Sequence, residues 1–189
     1  DVITGRVEQG IIRPNDVVGI VPRKLSGLKV FSIEMHHKMH EQAYPGDNVG
    51  LNIKGLDKKN MPKVGDVIYV EKENVLLPVK SFKAQVAVQE HPGQLKKGFS
   101  PLIHVRTGKC SCAMEKIEWK MGKKTGNQKV ENPDFIERGE SGVVTFIPKQ
   151  QFYLESFDDC PGLGRIAVMD SNQLVMMGKV IEVTYGADE

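Results

Sequence analysis

Lys29-Val30-Phe31-Ser32-Ile33-Glu34-Met35 reads apolar and polar in turn, the period of a half-buried β-strand. The alternation recurs along the chain in Val49-Gly50-Leu51-Asn52-Ile53, Phe82-Lys83-Ala84-Gln85-Val86-Ala87-Val88, Ala113-Met114-Glu115-Lys116-Ile117-Glu118-Trp119 and Val180-Ile181-Glu182-Val183. Between these runs stand Arg13-Pro14-Asn15-Asp16, Tyr44-Pro45-Gly46-Asp47-Asn48, Pro62-Lys63-Val64-Gly65-Asp66 and Cys160-Pro161-Gly162. Proline presets φ, and glycine or asparagine tolerates positive φ, so these are turn sequences. No apolar pattern of helical period persists long enough to build a helix. The chain is expected to be all-β. About a dozen short strands exceed what one small barrel holds, and the pattern restarts after Asn74-Val75-Leu76-Leu77-Pro78. Two antiparallel β-barrels in tandem are expected, over residues 1–78 and 79–189.

The 189 residues are 40% hydrophobic and 26% charged, with 26 Lys and Arg against 24 Asp and Glu, a net charge of +2. That is the composition of a folded chain, not a disordered one. Residues 1–78 carry 11 basic and 10 acidic side chains (+1), and residues 79–189 carry 15 and 14 (+1), so charge does not separate the halves. A uniformly basic nucleic-acid coat is excluded, and any polyanion contact has to be local. No run reaches the roughly 18 uncharged apolar residues of a membrane helix. The opening residues contain Arg6 and Glu8 and no apolar core, so no signal peptide is expected. Cys110 and Cys112 are too close for an ordinary disulfide, and with Cys160 they read as reduced thiols of a cytoplasmic protein.

Three motifs resemble chemistry without completing it. Met35-His36-His37-Lys38-Met39-His40 holds three of the five histidines and brings zinc to mind. Read as the continuation of the strand from Lys29, however, it sends adjacent histidines to opposite sides, which favours a polar surface segment. Cys110-Ser111-Cys112 is a single CxC pair whose thiols share one side of a strand, suited to core packing as well as to a soft metal. Gly122-Lys123-Lys124-Thr125 resembles the end of a phosphate-binding loop, but Ile117 stands where that loop needs its first glycine. No metal site, catalytic constellation or nucleotide site is expected. Positive charge concentrates from Arg106 to Lys129, with Arg106, Lys109, Lys116, Lys120, Lys123, Lys124 and Lys129 against Glu115 and Glu118. A basic stripe of this kind can follow a phosphate backbone, or it can be a solvated hairpin face.

Gly5-Arg6-Val7-Glu8-Gln9-Gly10, Ile33-Glu34-Met35-His36-His37 and Pro45-Gly46-Asp47-Asn48-Val49-Gly50 resemble the second domain of the eukaryotic elongation factor 1-alpha family. Glu90-His91-Pro92-Gly93-Gln94, Gly98-Phe99-Ser100-Pro101, Glu155-Ser156-Phe157 and Leu163-Gly164-Arg165-Ile166-Ala167-Val168 resemble its third domain, in the same order. The resemblance implies two β-barrels that follow a GTPase domain, which binds GTP and magnesium and lies outside this chain. It also implies a strand preceding Ile3-Thr4-Gly5-Arg6. The implied partners are aminoacyl-tRNA, the ribosome, a nucleotide-exchange factor and the GTPase domain itself, with no membrane.

Carried onto this sequence, Glu34 matches the acidic residue against which the terminal adenine packs. Asn48 matches a residue of the aminoacyl pocket, and His37 the position just beyond the adenine contact. Lys96, Lys97, Arg106, Lys109 and Arg165 are the candidate contacts to the tRNA backbone in the second barrel. Met169 departs from the family's usual arginine, and residues 71–81 and 149–151 also diverge, which suggests an elongation-factor-like branch. The alternative is that the barrels hold a protein, as in termination and ribosome-rescue GTPase paralogues.

Overall fold

The computed structural model describes residues 1–72, 77–89, 91, 93–106 and 108–186. The chain divides into two compact units, Asp1–Leu76 and Leu77–Glu189. Residues 74–76 of the expected boundary, and Glu90 and Pro92 of the family-like string, lie outside the described residues.

The first unit holds β1 (Val2–Arg6), β2 (Val17–Val21), β3 (Leu25–Met35), β4 (Lys38–His40), β5 (Asn48–Lys54) and β6 (Val67–Val70). They form one antiparallel sheet in the order β1-β5-β3-β2-β6, with β4 paired to β3. Val18, Ile20, Val30, Ile33, Leu51 and Ile53 fill its core. The alternation expected from Lys29 is interrupted. A bulge between Val30 and Ser32 turns both Val30 and Ile33 inward and leaves Phe31 outside, where the Lys54 ammonium sits 4.2 Å above its ring.

Three turns of the first unit share one device. In Arg13-Pro14-Asn15-Asp16, Tyr44-Pro45-Gly46-Asp47 and Lys63-Val64-Gly65-Asp66, the aspartate carboxylate accepts the first residue's backbone N–H, at 2.8, 2.8 and 3.0 Å. The aspartate's own N–H donates back to the first carbonyl, at 3.2, 3.0 and 3.0 Å. Each turn therefore closes from both sides, and the strands enter and leave it in a set register.

The second unit holds β7 (Val79–Val88), β8 (Leu95–Lys96), β9 (Leu102–Val105), β10 (Gly108–Gly122), β11 (Val130–Glu131), β12 (Phe135–Ile136), β13 (Glu140–Pro148), β14 (Arg165–Asp170) and β15 (Gln173–Tyr185). The order is β11-β10-β13-β7-β15-β14-β9. Because β9 also pairs with β10, the path of pairings from β10 onward returns to β10, with β11 outside it. Phe82 stacks on Phe146 at 5.4 Å in the core. Cys110 and Cys112 point into the same core as free thiols, and their mutual hydrogen bond, together with burial, pushes the Cys112 thiol well above its usual range. Gly142 lies where β13 crosses β10 so closely that a Cβ would come within 2.1 Å of the Trp119 carbonyl oxygen.

Two bulges in β10, at 114/116 and 117/119, break the expected alternation. They turn Met114, Ile117 and Lys120 inward in succession. Lys120 is thus no part of an exposed basic stripe. Its ammonium is buried 3.1 Å from Glu140 Oε1 and 3.8 Å above the Phe135 ring. Glu140 Oε1 also accepts the Glu137 N–H at 2.8 Å. Truncating one partner leaves a buried, uncompensated charge, so Glu140→Ala is expected to cost about 3–5 kcal/mol. The joint change of Lys120→Met with Glu140→Met is expected to cost less. Trp119 is the single tryptophan of the chain and lies on β10, so fluorescence-detected urea unfolding reads this unit directly. Equal stability of wild type and Glu140→Ala would contradict the assignment.

Candidate functional site

Glu34 leaves β3 one residue before a two-residue hairpin. Met35 pairs with Lys38, and His36 and His37 form the turn between them. Both have positive φ, 50° and 63°, the requirement of a type I′ turn. The histidines therefore do not continue the strand with side chains on opposite faces, as expected from Lys29 onward. They stand exposed at the tip. The strand ends because only the primed turns match the twist of two directly joined strands, and the chain accepts two strained histidines to make one.

β5 runs between β3 and β1 and brings this tip to Asn48. Val49, Leu51 and Ile53 point into the core, so Asn48, Gly50 and Asn52 take the outer face. Across the ladder Gly50 lies between Thr4 and Glu34, and Asn48 opposes Arg6. Gly50 presents no side chain, and the space above it is the floor of an open cleft of about 600 Å³. Val2 and Met35 contribute apolar lining, and Arg6, Glu34, His36, His37 and Asn48 the polar groups.

None of these five polar side chains makes a hydrogen bond or ion pair within the described residues. The turn before β5 uses Asp47 as its acceptor, which leaves the Asn48 amide free to donate and accept. The cleft is thus a set of unspent hydrogen-bonding groups around an apolar floor. Glu34, His37 and Asn48, expected from separate strings, all line it. Arg6, Val2 and Gly50 belong to it as well, and nothing in the linear order says that β1 pairs with β5.

The second unit does not gather its expected residues in one place. Lys96 is exposed on β8 beside Phe135. Lys97 lines a cleft of about 440 Å³ with Lys83, Lys116, Glu118 and Thr145. Arg106 stands after β9, at a φ of 52°. Lys109 opposes His104, which in turn opposes Ala167 on β14, two residues from Arg165. Lys116, Lys124 and Lys129 are paired with Glu118, Glu137 and Glu131, at 3.3, 2.6 and 3.4 Å. Of the seven cations from Arg106 to Lys129, these three are neutralised at the surface and Lys120 in the core.

Gly122-Lys123-Lys124-Thr125 does not fit a nucleotide phosphate. It is a 3₁₀ turn in which the Thr125 hydroxyl accepts the Gly122 N–H and lies 2.9 Å from both the Gly122 and Gln128 carbonyl oxygens, one of which takes its single proton. Among the described residues, no cluster of three or more His, Cys, Asp or Glu could hold a metal ion.

Replacing His36-His37 with Asn-Gly supplies the residues that a type I′ turn prefers. It is expected to raise stability by about 1 kcal/mol while removing both imidazoles from the cleft. A thermal midpoint that falls instead would contradict the turn assignment.

Comparison with known proteins follows the same division. Residues 1–69 match the family described as elongation factor Tu domain 2, and residues 81–181 the one described as GTP-eEF1A C-terminal domain-like. Elongation factor 1-alpha of Methanosphaera stadtmanae is 37% identical over 180 residues, covering 95% of this chain and 43% of that protein. The Tetrahymena pyriformis factor is 38% identical over 179 residues, covering 95% and 41%. The chain thus spans about two-fifths of the length of these relatives, 43% and 41%. A crystal structure of sup35 complexed with GDP matches with a TM-score of 0.84 at 25% identity, over 97% of this chain and 44% of that one.

Proposed function

The chain belongs to the elongation factor 1-alpha family of translation factors, and on that footing we propose that it is the aminoacyl-tRNA-binding portion of a factor that delivers aminoacyl-tRNA to the ribosomal A site. Its two units correspond to two barrel domains, residues 1–78 and 79–189. GTP and magnesium belong to a GTPase domain outside this sequence, and the ribosome and a nucleotide-exchange factor are the further partners.

One observation carries the reading. Three residues picked from two separate strings, Glu34, His37 and Asn48, line a single cleft, and their polar groups have no partner among the described residues. The terminal adenosine lies across Gly50, its base against the Glu34 stem and Val2. The Glu34 carboxylate, a hydrogen-bond acceptor when ionised, takes a ribose hydroxyl. Asn48 offers both a donor and an acceptor to the aminoacyl ester, which an uncharged end lacks. His37, at the exposed tip, reaches the sugar-phosphate beyond the base. Lys96, Lys97, Arg106 and Lys109 are the candidates for the tRNA backbone, a contribution that carries no sequence information and falls with salt.

A second reading gives the same surfaces to a protein, as in termination and rescue paralogues. The fold is shared with sup35 over 97% of this chain, which supports it. The higher identity to elongation factor 1-alpha, 37% and 38% against 25%, favours the tRNA reading.

The test is a salt series of binding by the intact factor, loaded with a GTP analogue, to charged and uncharged tRNA. Preference for charged tRNA is expected. That preference should fall about tenfold in Asn48→Ala, and Glu34→Ala should weaken binding of both tRNAs about tenfold, each the worth of one well-placed hydrogen bond. Equal binding of both tRNAs by the wild type would move the assignment to the protein-binding paralogues. An intact preference in Asn48→Ala together with unchanged affinity in Glu34→Ala would remove the cleft from the site.

A further inference from the structure

Arg165 on β14 and Lys179 on β15 are paired across the ladder on the outward face of the second unit. Both turn their cations toward one ring. Arg165 Cζ lies 5.1 Å and Lys179 Nζ 5.4 Å from the centroid of Phe157. Neither cation is ion-paired with a carboxylate among the described residues. This departs from the lysines at 83, 116, 124 and 129, each of which has a glutamate within 4 Å. Two like charges brought to one ring repel each other, and the ring's quadrupole offsets only part of that repulsion. The remaining positive potential is open to an anion.

The arrangement is built rather than loose. The Phe157 N–H donates to the Val180 carbonyl at 2.8 Å. Gly164 packs so tightly that a Cβ there would come within 2.4 Å of the Phe157 Cα. Two residues along the same ladder Ala167 opposes Met177, which is 52% exposed and opposes Ala87 on its other side. The cation pair therefore borders an apolar strip made of Met177 and two alanines.

We propose that this face of the second unit docks a protein segment that alternates carboxylates with apolar side chains. The carboxylates sit on Arg165 and Lys179, and an apolar side chain covers Met177 between Ala87 and Ala167. Arginine, methionine and an aromatic ring at the centre of a patch are what protein interfaces enrich. A phosphate backbone fits the face less well. It needs cations at successive phosphates, and the strip beside this pair is apolar. A base has no free ring to stack on, because both cations already engage Phe157. The proposal moves Arg165 from the tRNA backbone to a protein partner and does not depend on the cleft of the first unit.

The experiment measures binding of the whole chain to two probes, a soluble peptide alternating glutamate with leucine and an RNA duplex. Arg165→Gln with Lys179→Gln removes the charge, and Met177→Ser removes the apolar contact while keeping the charge. Both changes are at the surface, and unchanged thermal midpoints check that the variants fold. Peptide affinity is expected to fall about tenfold in each variant, with RNA affinity unmoved by Met177→Ser. Absence of peptide binding by the wild type would overturn the proposal. So would peptide binding that Met177→Ser leaves intact, or a preference for the RNA duplex that the charge variant abolishes.

Discussion

The register of β5 between β1 and β3 is the constraint on which the first unit depends. Burying Val49, Leu51 and Ile53 stabilises that register by roughly 1.5–3 kcal/mol for each side chain. A slip of one residue would expose all three and drive Asn48 and Asn52 into the core. The doubly closed Asp47 turn at one end and the His36-His37 turn on the neighbouring strand hold the alignment from both sides. The cleft follows from this without further stabilisation. Once the odd-numbered residues of β5 are inside, Asn48 and Gly50 must face out, between Arg6 and Thr4 on one side and Glu34 on the other.

The polar groups of the cleft are free because the fold uses other groups for its own needs. Aspartates close the turns, and the backbone satisfies itself along the ladders. Among the described residues, Arg6, Glu34, His36, His37 and Asn48 are left with no side-chain partner. The strained histidine turn fits the same pattern. A chain selected only for stability would carry Asn-Gly there, so two imidazoles in left-handed backbone stand at a cost of the order of 1 kcal/mol.

In the second unit, charge is divided between structural and available cations, and composition does not reveal the division. Lys120 is the clearest case. It lies in the most basic stretch of the chain, yet two bulges turn it into the core against Glu140 and Phe135. Lys116, Lys124 and Lys129 are neutralised at short range by glutamates on the same strand or in a neighbouring loop. Arg165 and Lys179 stand on the two strands of one hairpin and read in sequence as two ordinary surface charges. Strand pairing brings them to one ring, with no carboxylate paired to either among the described residues.

By itself the sequence determined the strand content, the turn positions, the inward set of residues on β5 and β7, and the family. Each of these is local, since a period of two, a Pro-Gly-Asp string or a run of matching residues can be read along one segment. The tertiary structure decided what depends on pairing. Bulges at Phe31 and in β10 shift the facing of everything beyond them, and one inserted residue leaves no mark in an alternating pattern. The neighbourhood of Arg6 and Asn48, and of Arg165, Lys179 and Phe157, is likewise set by which strands lie side by side. Ladder hydrogen bonds join backbones whatever their side chains, so the surface chemistry of a sheet exists only once its register is made.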